Sequence, residues 1–267
     1  MPPISLGQEY IEKLIKISKN AGDAVMDIYE SEFDVNFKSD QSPLTKADIL
    51  SNKIICESLK KITPDVPILS EESSNIPYPE RSKWNQYWLI DPLDGTKEFI
   101  KKNGEFTVNI ALIENNNPVF GLIHIPIKNE TYWGTEKSGA FFIDKNSHQI
   151  SIKTSSKSSD TIRIAVSRSH HDKKLDDLLR EIKSYKLISV GSSLKFCLIA
   201  HGKADCYFRM GPTSEWDTAA GHAIVKSAGG YVVDFNRDEL KYNTKLDFLN
   251  PSFICSGIQY EDLYSSK

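Results

Sequence analysis

The stretch Tyr87-Trp88-Leu89-Ile90-Asp91-Pro92-Leu93-Asp94-Gly95-Thr96 constrains this chain more than any other. Its apolar start is too short for a helix and is followed by turn residues, so it reads as a buried strand ending at Asp91. Ligands of α/β sheets gather where the strands stop. Pro92 restricts the backbone as the chain leaves the strand. Gly95 lets the backbone come close to a ligand. A turn there can aim the Asp91 and Asp94 carboxylates at one point. A second apolar run, Val66-Pro67-Ile68-Leu69, also leads into acid, at Ser70-Glu71-Glu72-Ser73.

The rest of the chain predicts the layers around those strands. Tyr10, Leu14, Ile17, Ala21, Val25 and Ile28 recur at helical spacing and predict a helix over 6–29. A polar stretch, 31–41, reaches a turn at Ser42-Pro43. A helix over 46–61 would turn Ile49, Ile54, Ile55 and Leu59 inward, and Thr63-Pro64-Asp65 ends it. The runs 106–113 and 119–125, joined by Glu114-Asn115-Asn116-Asn117-Pro118, predict a hairpin. Short strands are expected at 132–134 and 140–143. Composition turns polar and Ser/Lys-rich over 147–160. We place a division there, into halves 1–155 and 156–267, with Ile150 and Ile152 as a candidate edge strand. The second half alternates strands (162–166, 186–190, 204–208, 231–234, 253–255) with helices (173–184, 192–201, 216–228). That rhythm predicts a layered α/β unit.

Charge and cysteine usage exclude several classes of function. The 267 residues carry a formal charge of −3 and no long Lys/Arg run. A nucleic-acid polymer would therefore find no electrostatic footprint. The four cysteines, Cys56, Cys197, Cys206 and Cys255, show no CxxC or zinc spacing and read as reduced thiols. The first residues lack the basic start and apolar core of a signal peptide. No apolar run approaches the ~20 residues of a membrane span. The expectation is a cytoplasmic protein without stable membrane insertion, with loose contact at the inner membrane face left open.

A third acid completes the constellation. Asp217 lies in Ser214-Glu215-Trp216-Asp217-Thr218-Ala219-Ala220, the start of a small-residue helix that ends at Gly229-Gly230. There it would sit at the positive end of the helix dipole. Clustered carboxylates repel one another and call for a cation. Hard oxygen ligands suit Mg²⁺, which commonly joins carboxylates to a substrate phosphate. No His/Cys set exists for zinc. The plainer reading of each acid alone is a solvated turn residue or a helix cap. Their joint placement after apolar strands is the more specific signal.

These residues resemble the lithium-sensitive inositol monophosphatase-like phosphatases. One signature of that family is Leu89-Ile90-Asp91-Pro92-Leu93-Asp94-Gly95-Thr96. A second is Trp216-Asp217-Thr218-Ala219-Ala220-Gly221 through Ala228-Gly229-Gly230. Glu71-Glu72-Ser73 is a third, preceded by Ser70 where Gly is commoner. Within the family the chain is most similar to the 3′(2′),5′-bisphosphate nucleotidases. That similarity rests on Ser42-Pro43-Leu44-Thr45-Lys46-Ala47-Asp48, Asp94 through Ile100, Asn103 through Ile113, Ser167-Arg168-Ser169-His170, and Gly191-Ser192-Ser193-Leu194-Lys195-Phe196-Cys197.

The resemblance implies an α/β (α+β) fold, a layered αβαβα sandwich of the inositol monophosphatase/fructose-1,6-bisphosphatase type. It implies two or three Mg²⁺ ions held by Glu71, Asp91, Asp94, Asp217 and the Leu93 carbonyl. Glu71 and Thr96 would orient the attacking water, and Asp48 would lie near the metals. The implied substrate is a phosphorylated nucleotide such as adenosine 3′,5′-bisphosphate, with 3′-phosphoadenylyl sulfate a related one. The substrate would meet Leu93, Asp94, Gly95, Thr96 and Asp217, and the implied assembly is a monomer or homodimer.

Further candidates answer to the second phosphate of such a substrate. Ser167 and Arg168, and Ser192, Ser193 and Lys195, combine helix-start hydroxyls with cations, which suits an anion. Arg209 serves the same end. The plainer alternative for these serines is capping. For Asp48 it is a helix-start acid. Glu215 reads as a sugar contact, with a solvated helix-start acid as its plainer alternative. Trp216 reads as packing, His170 and His171 as surface, and His201 and His222 as helix residues without catalytic duty. Competing functions are a phosphatase for inositol monophosphate or a sugar bisphosphate, and a catalytically silent nucleotide-binding regulator.

Overall fold

A computed structural model describes residues 6–32, 34–37, 43–155, 161–168, 173–182 and 184–263. Ser42, Ser169, His170, His171 and the 156–160 part of the proposed division lie outside the described residues.

The chain begins with α1 (Gln8–Tyr29), the hairpin strands β1 (Val35–Phe37) and β2 (Pro43–Thr45), and α2 (Lys46–Ile62). Then come β3 (Ile68–Ser70), a single 3-10 turn (Glu71–Ser73), α3 (Tyr78–Arg81), β4 (Gln86–Asp94) and α4 (Thr96–Ile100). A meander follows: β5 (Thr107–Glu114), β6 (Asn117–Ile125), β7 (Glu130–Thr135), β8 (Gly139–Ile143) and β9 (Gln149–Ile152). The remainder is β10 (Ile162–Ser167), α5 (Lys173–Leu179), β11 (Tyr185–Val190), α6 (Leu194–Ala200), β12 (Cys206–Arg209), α7 (Glu215–Ser227), β13 (Tyr231–Asp234), β14 (Phe253–Ser256) and α8 (Tyr260–Leu263).

Two sheets result. One has seven strands in sequential order, β3 to β9, with the β3–β4 pair parallel and the others antiparallel. The other has five, ordered β11-β10-β12-β14-β13. Alternation along β4 shows how the layers stack. Trp88 and Ile90 join Leu14, Ile17, Ile55 and Leu59 in a core beneath α1 and α2. Leu89 points the other way, into a larger core with Phe196, Ala219, Ile224, Tyr207 and Phe253. That core sandwiches α6 and α7 between the sheets. Ile164, Leu179, Phe208 and Leu263 cover the outer face of the five-stranded sheet. The order is therefore helix, sheet, helix, sheet, helix, as the αβαβα expectation states. All four cysteines are free thiols, three of them buried.

Close approach fixes the middle layer. A Cβ at Gly121 on β6 would lie 2.1 Å from the Ala220 carbonyl oxygen of α7. The helix can lie this near the sheet because the strand residue beneath it has no side chain.

Several local expectations change. Ile49 is 54% exposed, because α2 turns it away from Ile55 and Leu59. The chain around Pro43 pairs as a strand with β1. The helix predicted over 173–184 spans Lys173–Leu179. β4 continues past Asp91 through Asp94, with a register shift between them. α3 and α4 are too short to carry a periodic signal. Gly95 starts α4 from a φ of 91°, a left-handed conformation that favours glycine.

Candidate active site

β3 and β4 run parallel with Ser70 opposite Ile90, so Glu71, just past the end of β3, comes beside Asp91 on β4. Asp91 pairs with Asn109 and Asp94 with Thr107, which leaves Pro92 and Leu93 in a bulge. Bulges re-aim side chains, and this one carries both aspartates. The Leu93 N–H donates to Asp91 Oδ1 at 3.1 Å, and Ser51 Oγ donates to the Pro92 carbonyl at 2.7 Å. The bulge is thus held from inside and from α2.

Asp217 arrives from the middle layer. It is the third residue of α7, and its Oδ2 accepts the Ser214 N–H at 2.9 Å in a reciprocal cap. Carboxylate oxygens of Glu71, Asp91 and Asp217 all lie within 4.8 Å of one another. Burial pushes the Asp91 and Asp217 carboxyls well above the usual carboxylate range. The neighbouring acids add to the rise: Glu71, Asp94 and Asp217 at Asp91, and Asp94 and Glu71 at Asp217. Burial also raises Asp94, with Ser193 and Lys195 working against the rise. An all-oxygen cluster whose charges oppose each other fits a hard divalent cation.

A cavity of about 220 Å³ opens over this cluster. Glu71, Asp91, Leu93, Asp94, Gly95, Thr96 and Asp217 line it. Ser167, Ser192, Ser193, Lys195 and Arg209 line it too. The predicted residues thus converge, with two exceptions. Asp48 lies behind the lining: its Oδ1 is 3.1 Å from Thr96 Oγ1, and its Oδ2 accepts the Thr45 N–H and hydroxyl, each at 2.7 Å. Arg168 is absent from the wall. Its guanidinium grips Glu105 through two bonds of 2.6 Å, and Glu105 also accepts the Gly191 N–H at 2.7 Å.

Three residues behave differently from the sequence reading. Ser193 bridges acids rather than facing solvent: its Oγ lies 2.6 Å from Asp94 Oδ2 and 3.0 Å from the Asp217 carbonyl. Lys195 is buried with Nζ donating to the Ser192 carbonyl at 2.6 Å, and burial pulls its ammonium down to about 8. Glu215 is fully buried and lies outside the cavity lining, so it is neither a sugar contact nor a solvated acid. Trp216 packs on Phe248, with ring centroids 5.1 Å apart.

Sequence reasoning missed Asn109, whose Nδ2 donates to Ser193 Oγ at 2.8 Å. An asparagine inside the apolar run of β5 was the available signal, because a buried amide needs partners. Thr213 and Thr218, which also line the cavity, carried no signal beyond their nearness to Asp217.

Residues 7–265 match the model of the inositol monophosphatase family. The 3′(2′),5′-bisphosphate nucleotidase CysQ of Salmonella typhimurium is 44% identical over 245 residues, 91% of this chain and 98% of that protein. The protein of the same name from Escherichia coli K12 is 43% identical over 92% of this chain and 99% of its own length. Among solved structures, CysQ from Bacteroides thetaiotaomicron superposes with a TM-score of 0.82 at 40% identity, covering 94% of this chain and 97% of that one. An IMPase from Thermotoga maritima gives 0.78 at 28% identity, covering 94% and 92%. The chain belongs to the inositol monophosphatase family.

Proposed function

We infer that this chain is a Mg²⁺-dependent 3′(2′),5′-bisphosphate nucleotidase. It would remove the 3′-phosphate of adenosine 3′,5′-bisphosphate to give AMP, and would accept 3′-phosphoadenylyl sulfate as a related substrate. The observation that carries the metal chemistry is the convergence of Glu71, Asp91 and Asp217. The nucleotide follows from likeness to the CysQ proteins along nearly their whole length.

Glu71, Asp91, Asp94, Asp217 and the Leu93 carbonyl would hold two or three Mg²⁺ ions. Bound there, the ions supply charge neutralisation for the phosphoryl group and a lowered pKa for the attacking water. The chain's own groups position the reactants. Thr96 Oγ1, 3.1 Å from Asp48 Oδ1, orients the water together with Glu71, and Asp48 stands as the acceptor behind that hydroxyl. N–H groups at Gly95 and Thr96 hold phosphate oxygens. Ser167, Ser192, Lys195 and Arg209, in the same lining, take the second phosphate. No enzyme nucleophile is needed.

In this reading residues 1–155 supply most metal ligands, and 156–267 supply Asp217 and the residues for the second phosphate. Among the described residues no helix is long and apolar enough to cross a membrane. We propose a cytoplasmic enzyme, a monomer or homodimer.

Phosphate release from adenosine 3′,5′-bisphosphate and from inositol 1-phosphate, each with Mg²⁺, with EDTA and with added Li⁺, tests the proposal. Fast Mg²⁺-dependent release from the nucleotide, suppressed by Li⁺, is expected. Preference for inositol phosphate would replace the substrate but keep the metal site. Nucleotide binding without release from either compound would make the chain a silent regulator.

A further inference from the structure

We propose that Glu215, Asn243 and Arg81 form a buried brace that aims Asp217, with Glu215 and Arg81 as positioning residues; the inference rests on the reading of Asp217 as a metal ligand. Asp217 spends one carboxylate oxygen on the Ser214 N–H, so the placement of residue 214 sets the direction of the other oxygen. The first turn of α7 is therefore where the aim of this ligand is decided.

That turn is fastened to the segment preceding β14. The Glu215 N–H donates to the Phe248 carbonyl at 2.8 Å. Asn250 Nδ2 donates to the Ser214 carbonyl at 2.8 Å. The Glu215 side chain, with no exposed surface, reaches back and accepts the Asn243 N–H on Oε2 at 2.8 Å. Asn243 has a φ of 57°, a conformation asparagine tolerates better than most residues.

Arg81, on α3, holds that segment directly. Its Nη1 donates to Asn243 Oδ1 at 2.5 Å, and Asn243 Nδ2 returns a bond to the Arg81 carbonyl at 2.6 Å. Nη2 donates to the Lys245 and Leu246 carbonyls at 3.0 and 2.6 Å. The guanidinium lies over the Phe248 ring, 4.2 Å from its centroid. A continuous polar path thus runs from α3 to the metal cluster.

The brace is costly to bury. Arg81 and Glu215 are 1% and 0% exposed. Glu215 Oε1, Arg81 Nε and the Tyr87 hydroxyl lie buried without a hydrogen-bond partner among the described residues. A well-packed apolar set of similar volume would commonly be at least as stable, so burying an acid and an arginine here points to a role in placement. Neither residue lines the cavity, so neither acts on substrate directly.

The test compares Glu215→Ala, Glu215→Gln, Arg81→Met and Asp217→Asn in the full chain. Mn²⁺ binding is read by calorimetry, and kcat, KM and the Mg²⁺ concentration for half-maximal rate by phosphate release. Glu215→Ala should weaken Mn²⁺ binding about tenfold and raise the Mg²⁺ requirement in step, with KM at saturating Mg²⁺ changed less than about threefold. Glu215→Gln keeps an acceptor for Asn243 N–H and should stay within about threefold of the parent in Mn²⁺ affinity. Should Glu215→Ala fail to fold, Arg81→Met, which keeps an apolar stem on Phe248, must show the same Mn²⁺ loss.

A folded Glu215→Ala chain that binds Mn²⁺ normally, beside an Asp217→Asn chain that does not, overturns the brace and leaves the metal reading standing. Glu215→Gln as impaired as Glu215→Ala also overturns it. Normal Mn²⁺ binding by Asp217→Asn removes the metal reading and the brace together.

Discussion

The cavity lining holds an acidic wall of Glu71, Asp91, Asp94 and Asp217 and a basic wall of Lys195 and Arg209, and the two are satisfied in opposite ways. On the acidic wall, Asp91 receives the Leu93 N–H and Asp217 the Ser214 N–H. These are neutral donors, and the carboxylates still face one another within 4.8 Å across Glu71, Asp91 and Asp217. On the basic wall Lys195 and Arg209 are already bonded to backbone oxygens. Lys195 holds the Ser192 carbonyl, and Arg209 holds those of Gly211 and Pro212. The acidic wall is left with a charge that a cation must answer. The basic wall is pre-formed, with its charges fixed in place before any anion arrives. Chemistry should therefore depend steeply on the acids, and recognition more gently on the cations.

The largest effect should come from breaking the acidic wall. Asp94→Asn keeps an acceptor for Ser193 but removes a charge, and should lower kcat/KM about a thousandfold, a loss of roughly 4 kcal/mol. Steady-state kinetics against Mg²⁺ concentration would show it. Turnover and Mg²⁺ dependence like the parent's would refute the ligand assignment.

A smaller effect should follow from weakening the basic wall. Lys195→Met keeps the buried stem but loses the charge. It should raise KM for adenosine 3′,5′-bisphosphate about tenfold, with kcat changed less than about threefold. A substrate with one phosphate should feel less of it. Equal losses on both substrates would mean that Lys195 serves the reacting phosphate instead.

Away from both walls, His124 tests whether the surrounding layers behave as ordinary core. Its ring is 2% exposed and Nδ1 sits 2.9 Å from Thr131 Oγ1. A Cβ at Gly22 of α1 would meet the ring at 2.5 Å. Burial lowers the imidazole from 6.5 to about 4. The unfolded chain then takes up the proton first. Stability is complete above pH 6.5 and falls as pH drops toward 4, by about 3 kcal/mol in total. Denaturant midpoints across that window, compared with a His124→Gln chain, should show the slope in the parent and a shallower one in the variant.

The parts of the molecule that could be read from sequence are those governed by period and by local chemistry. The layers follow from apolar spacing in α1, β4, β5 and β6. The acids stand out because charge just after Ile90 and just past Leu69-Ser70 conflicts with burial. What stayed hidden depends on partners far along the chain. Arg168 was assigned to substrate, but its pairing with Glu105 joins residues 63 positions apart. Glu215 read as a sugar contact or a solvated helix-start acid, yet its partner is the backbone of Asn243, 28 positions on. Ile49 sat at helical spacing, but the width of the buried stripe on α2 is set by what packs above it.

The comparison of the walls rests on the claim that the acids are strained until a cation binds. Thermal melting of the parent and of Asp91→Asn at pH 7.5, in EDTA and in ~10 mM Mg²⁺, tests it most directly. The Asp91 carboxyl is raised in the folded state, so its contribution is present below the unfolded value of 3.8 and is lost as pH climbs through the raised value. The cation-free parent should therefore be the less stable of the two in EDTA. Mg²⁺ should raise the parent's Tm by about 3–6 °C, for a Kd near 1 mM, and Asp91→Asn by much less. A parent that melts above Asp91→Asn in EDTA, and whose Tm ignores Mg²⁺, would contradict the account.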